Sequence, residues 1–129
     1  MENELLVVLV VEDDSLIQEM VQDALSEGGF KTEVTSSGEE AITRLQDDQT
    51  TYRALVTDIM LRGRLNGWDV GHRARELNPD IPVIYMTGTA ADEWSANGVP
   101  KSILLSKPFA PAQIVAVVAQ LLNAASPPS

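Results

Sequence analysis

Apolar positions along the chain follow two alternating rhythms. Leu5 to Val11 is an unbroken run of leucine and valine, the pattern of a strand covered on both faces, and it ends at Glu12-Asp13-Asp14. From Ser15 to Glu27 the spacing turns helical, with Leu16, Ile17, Met20, Val21, Ala24 and Leu25 on one side, Asp14 as N-cap and Gly28-Gly29 as the stop. Thr32 to Thr35 is a short strand candidate. Ser37 and Glu40 have the form of a capping box ahead of a second helix, whose inner stripe is Ala41, Ile42 and Leu45 and which Asp47-Asp48-Gln49-Thr50 breaks. Ala54 to Thr57 is a central strand closed by Asp58. A third helix runs from about Trp68 to Leu77, with Val70, Ala74 and Leu77 inward and Asn78-Pro79 as its end. Pro82 to Met86 reads as a fourth strand, Asp92 to Ala96 as a short helix and Ser102 to Leu105 as a fifth strand. The last helix carries Ile114, Val117, Val118, Leu121 and Leu122 at amphipathic spacing.

Strand and helix thus alternate five times. That predicts an α/β fold, a parallel sheet with helices on both faces and right-handed crossovers, in one domain over residues 1–123 with 124–129 as a disordered tail. A length of 129 residues and an apolar fraction of 44% suit one domain with its own core.

Composition narrows the chemistry. Without cysteine there is no disulfide framework, iron-sulfur cluster or thiolate zinc site, and one histidine argues against zinc or non-haem iron. A formal charge of −10 opposes binding to nucleic acid, whose phosphates need basic patches. Met1-Glu2-Asn3-Glu4 is acidic where a signal peptide would be basic, and no apolar run is long enough for a membrane span. A soluble, cytoplasmic protein without nucleic-acid or membrane partners is expected.

The polar residues that close the strands carry the functional signal. Glu12-Asp13-Asp14 follows the first strand, Asp58 the third, Thr87-Gly88 the fourth and Lys107-Pro108 the fifth. In open α/β sheets, ligands bind at this carboxyl edge. With those strands side by side, Glu12, Asp13 and Asp58 would crowd together and raise one another's pKa unless a cation joined them. Magnesium takes such oxygen ligands. Thr87, the amides after it and Lys107 suit a phosphate, and a carboxylate is an accepted nucleophile for phosphoryl transfer. The inferred chemistry is an aspartyl-phosphate on Asp58, formed with magnesium.

From Val7-Val8-Leu9-Val10-Val11-Glu12-Asp13-Asp14 to Ser106-Lys107-Pro108-Phe109 the chain resembles the receiver domains of two-component response regulators, the CheY-like superfamily. The resemblance implies a flavodoxin-like, doubly wound parallel sheet of order 2-1-3-4-5 with five helices. It implies a phosphoryl group accepted by Asp58 from a histidine kinase or a phosphotransfer protein. Glu12, Asp13 and the backbone carbonyl of Met60 would join Asp58 in holding Mg2+, and Thr87 and Lys107 would hold phosphoryl oxygens. Met60 and Thr89 occupy positions that flank the phosphorylation site. Such a protein is a phosphoacceptor rather than a turnover enzyme, and its output would be contact with a downstream protein or onward phosphate transfer.

The chain also departs from the pattern. Glu12 stands where aspartate is usual, and its longer side chain can reach a metal through water. Leu61-Arg62-Gly63-Arg64-Leu65-Asn66-Gly67 lacks the usual proline and is one residue longer. Leu104 replaces the common switch aromatic, which removes a ring-flip mechanism. Together with Tyr85-Met86-Thr87-Gly88 this is similar to a subgroup of often stand-alone receivers with a Thr-Gly loop, in which mobility from Gly88 to Gly98 would replace the flip.

Two alternatives stay open. One is a pseudo-receiver that binds a partner without being phosphorylated. The other is a magnesium-dependent phosphohydrolase of the haloacid-dehalogenase type, which needs a second aspartate where Met60 stands. Arg62 and Arg64 read as solvated loop charges able to recruit an acidic partner surface, His72 as an exposed helix residue, Trp68 as packing at a helix start and Trp94 as half exposed.

Overall fold

The computed structural model describes residues 7–47 and 50–125. Five parallel strands form one sheet in the order β2-β1-β3-β4-β5: β1 (Val7–Val11), β2 (Lys31–Thr35), β3 (Ala54–Asp58), β4 (Val83–Thr87) and β5 (Ile103–Ser106). The helices are α1 (Ser15–Glu27), α2 (Gly38–Gln46), α3 (Gly67–Leu77), α4 (Trp94–Asn97) and α5 (Pro111–Ala125). This is the flavodoxin-like fold. Among the described residues no helix is long and apolar enough to cross a membrane.

Strand alternation makes two cores. Leu9, Val11, Leu55, Val83 and Tyr85 pack with Ala41, Trp68, Val70 and Ala74 of α2 and α3. Val8, Val10, Val56, Ile84 and Met86 pack on the other face with Val21, Leu25, Ile114, Val118 and Leu122 of α1 and α5. Both faces of β3 and β4 are buried throughout, which is why these segments read as continuous apolar runs.

Local chemistry sets the boundaries. Asp14 caps α1 by accepting from Leu16 N at 2.9 Å and Ile17 N at 3.3 Å. Ser37 accepts from Glu40 N, but Glu40 Oε1 takes its amide from Ser36, so the expected box is displaced by one residue on its return arm. A complete capping box lies instead at the start of α3, between Asn66 and Asp69, and it begins that helix at Gly67. Glycine is required there, because a Cβ would meet Asp58 O at 2.1 Å.

Pro82 precedes β4 rather than opening it. It has no amide to donate, yet its carbonyl accepts from Leu55 N at 2.9 Å. Ser102 likewise precedes β5; its hydroxyl donates to Val99 O at 2.6 Å and accepts from Trp94 Nε1 at 2.9 Å. The expected helix at 92–96 is a 3-10 turn (Ala91–Glu93) followed by the single turn of α4. Helix α5 extends to Ala125, past the expected boundary at 123, while residues 126–129 of the expected tail lie outside the described residues, as do Leu5, Leu6, Asp48 and Gln49.

Candidate functional site

The register levels the strand ends. Val11 pairs with Thr57, Asp58 with Met86 and Thr87 with Ser106, so the residues after β1 and β5 and the last residues of β3 and β4 share one rim. Glu12, Asp58 and Thr87 are buried and Asp13 is partly so.

Lys107 organises the charges. Its Nζ donates to Asp58 Oδ2 at 2.9 Å and to Glu12 Oε1 at 3.1 Å. Its own amide donates to Thr87 O at 2.8 Å, continuing the β4–β5 ladder one step past the strand. Burial pulls the ammonium's pKa down, but the hydrogen bonds and charges of Asp58 and Glu12 outweigh that and leave it above the ordinary lysine value.

Glu12 is the most perturbed carboxyl. Burial, helped by the Asp58 charge, pushes its pKa up to about 7, against the hydrogen bonds from the Asp14 amide and Lys107. The second carboxylate oxygen accepts from Asp14 N at 3.0 Å. Gln18 Nε2 holds the Glu12 carbonyl and also donates to Ser36 Oγ at 3.1 Å.

Glu12, Asp13 and Asp58 each present one carboxylate oxygen within 4.8 Å of the others. An all-oxygen donor set of this kind suits a hard divalent cation. Glu12 reaches the cluster directly, so its extra methylene does not hold it away from the other two acids.

The loop after β3 is tied down by acids on either side. Met60 N donates to Asp58 Oδ1 at 3.4 Å, Arg62 N to Asp13 Oδ2 at 3.1 Å and Arg64 N to Glu39 Oε2 at 2.9 Å. Gly63 turns the loop at φ 100°, and Met60 is 64% exposed. The tether at Glu39 was not foreseen, since no spacing rule joins the first turn of α2 to a loop 25 residues later.

The Thr87 hydroxyl accepts from Thr89 N at 3.2 Å and Ala90 N at 2.8 Å, which leaves its proton to donate. Below it, the Tyr85 hydroxyl accepts from Val99 N at 3.1 Å, and its ring lies against Trp68 with centroids 4.8 Å apart. Leu104 is half-buried on the same core. The structure therefore gathers Glu12, Asp13, Asp58, Thr87 and Lys107 at one rim, with Met60 beside them. His72 is exposed and contacts Asn97 O at 2.8 Å, away from the rim.

The family model for the response regulator receiver domain matches residues 8–119. The response regulator receiver protein CpdR of Brucella abortus is 30% identical over 120 residues, covering 92% of this chain and 98% of that protein. The chain spans about half the length, 52%, of the mycobacterial response regulators MprA that it matches at the same identity. A solved response regulator receiver protein from Sinorhizobium medicae is 39% identical with a TM-score of 0.91, covering 95% of this chain and 98% of that one. The receiver domain of the sensor histidine kinase PA1611 of Pseudomonas aeruginosa, solved with magnesium in its active-site cleft, shares the fold at 21% identity and a TM-score of 0.79, covering 93% of this chain and 99% of that one.

Proposed function

The chain belongs to the response regulator receiver family of two-component signalling, and from that premise we propose that Asp58 accepts a phosphoryl group from a histidine kinase or a phosphotransfer protein, with Mg2+ held by Glu12, Asp13, Asp58 and the Met60 carbonyl. The observation that carries this reading is the convergence of three carboxylates with one ammonium between two of them. A buried cluster of that kind is costly unless a second cation and an anionic substrate complete it.

A carboxylate oxygen of Asp58 forms the new P–O bond as the P–N bond to the donor histidine breaks and the imidazole leaves with the bonding pair. Lys107 already holds Asp58 in place and offers its charge to a phosphoryl oxygen; the Thr87 hydroxyl donates to another. Magnesium, when bound, would neutralise part of the charge that the carboxylates and the phosphoryl oxygens bring together. The same groups serve hydrolysis of the acyl phosphate, so the domain assists its own loading and unloading without being a turnover enzyme. Residues 1–123 form the receiver unit, working in the cytoplasm through contact with a downstream protein or onward phosphate transfer.

The phosphohydrolase alternative lacks its second acid, because position 60 is a methionine with its side chain largely in solvent. The pseudo-receiver alternative is opposed by the complete set Asp13, Asp58, Thr87 and Lys107. Intact-protein mass spectrometry after incubation with acetyl phosphate and magnesium tests the proposal. One phosphoryl adduct is expected, dependent on magnesium and absent in Asp58→Asn. Failure of both acetyl phosphate and purified histidine kinases to label Asp58 would hand the site to the pseudo-receiver reading.

A further inference from the structure

The loop after β3 brings a cation of the protein's own to the carboxylate trio. Asp13 Oδ2 accepts the Arg62 backbone amide at 3.1 Å, and the Arg62 guanidinium Nε lies 3.7 Å from that same oxygen. Lys107, the other cation at the rim, is directed at Glu12 and Asp58. Each carboxylate of the trio therefore has a basic side chain beside it, and Arg62 is the one that serves Asp13.

Three features keep Arg62 there. Its amide is tethered to the very carboxylate its side chain approaches, Gly63 turns the chain away directly afterwards, and Arg64 N is pinned to Glu39. The side chain itself is 88% exposed, so it acts chiefly through its charge.

Resting on the metal site proposed above, we infer that Arg62 is a built-in rival of the divalent cation, lowering the magnesium affinity of the site and making it sensitive to ionic strength. A dication shared by Glu12, Asp13 and Asp58 draws either on Oδ2, which the guanidinium approaches, or on the other oxygen of the same Asp13 carboxylate. Either way a single positive charge stands close to a double one. In water at ordinary salt, that repulsion corresponds to a loss of affinity of about three- to fivefold. The charge sits on the loop that follows β3, between Leu61 and Gly63.

Isothermal calorimetry of MgCl2 into the full chain, with all variants at the same pH, tests this with Arg62→Gln and Arg62→Lys. Both substitutions keep the backbone tether, and matched unfolding curves would verify the fold. Arg62→Gln is expected to bind magnesium about three- to fivefold more tightly than the natural protein, and the gap should close as KCl is raised. Arg62→Lys, which keeps the charge, should stay near the natural value. Equal or weaker binding by Arg62→Gln would overturn the inference while leaving the metal site intact. Absence of binding in both the natural protein and Arg62→Gln would bring down the metal site itself, and the inference with it.

Discussion

Glu12 carries a pH signature that can be worked out in sign. Its folded pKa of about 7 lies above the ordinary 4.5, so between those values the folded state holds a proton that the unfolded chain has released. Stability is then lost as pH rises from about 4.5 through 7. Asp58→Asn removes the charge that adds to burial in raising Glu12, so its pH profile over this window should be flatter; urea unfolding at several pH values compares the two. Lys107→Ala should cut the rate of Asp58 phosphorylation by about a hundredfold, the scale of loss when one donor aimed at developing negative charge is removed, as a phosphorylation time course would show. These residues were legible in the sequence because strand-end chemistry survives without coordinates. Arg62 and Glu39 were legible only as charges. Their partners are set by the path of an irregular loop, and no periodicity encodes that path.

At the level of elements, α3 is fitted to the strands beneath it by two glycines. A Cβ on Gly71 would meet the Tyr85 hydroxyl at 2.2 Å, and one on Gly67 would strike the Asp58 carbonyl. Gly71→Ala should cost about 1–3 kcal/mol by overpacking, despite alanine's better helix propensity. The cost should shrink in a Tyr85→Phe background, where the hydroxyl is gone; a double-mutant cycle by urea unfolding measures that coupling. The amphipathic patterns of α1 and α3 located those helices to within a residue at each end. Helix α4 kept only one turn, since Trp94 to Asn97 has no buried residue and no side-chain cap to extend it. The box that starts α3 uses Asn66 and Asp69 rather than serine and glutamate, so the spacing was present but its chemistry went unrecognised.

For the molecule as a whole, alkali offers a clean readout because it has only two tyrosines. Burial and the Glu33 carboxylate, 2.5 Å from its hydroxyl, push Tyr52 up to about 12, and burial raises Tyr85 as well. The stability these phenols confer is complete below about 10, the unfolded value, and for Tyr52 is lost as pH rises through about 12. An ultraviolet titration should therefore show almost no phenolate at the ordinary tyrosine midpoint, then a rise that coincides with unfolding.

The ion cluster also joins distant parts of the chain: Lys107 meets Asp58 across 49 residues and Glu12 across 95. A growing polypeptide still on the ribosome owns all three acids well before the ammonium that steadies two of them has been made. Until β5 emerges and docks on β4, Glu12 and Asp58 lack the ammonium that balances them, and the pocket lacks the charged partner of a phosphoryl oxygen. Newly made copies should therefore stay silent during synthesis and gain competence in a single step, once the last strand is in place.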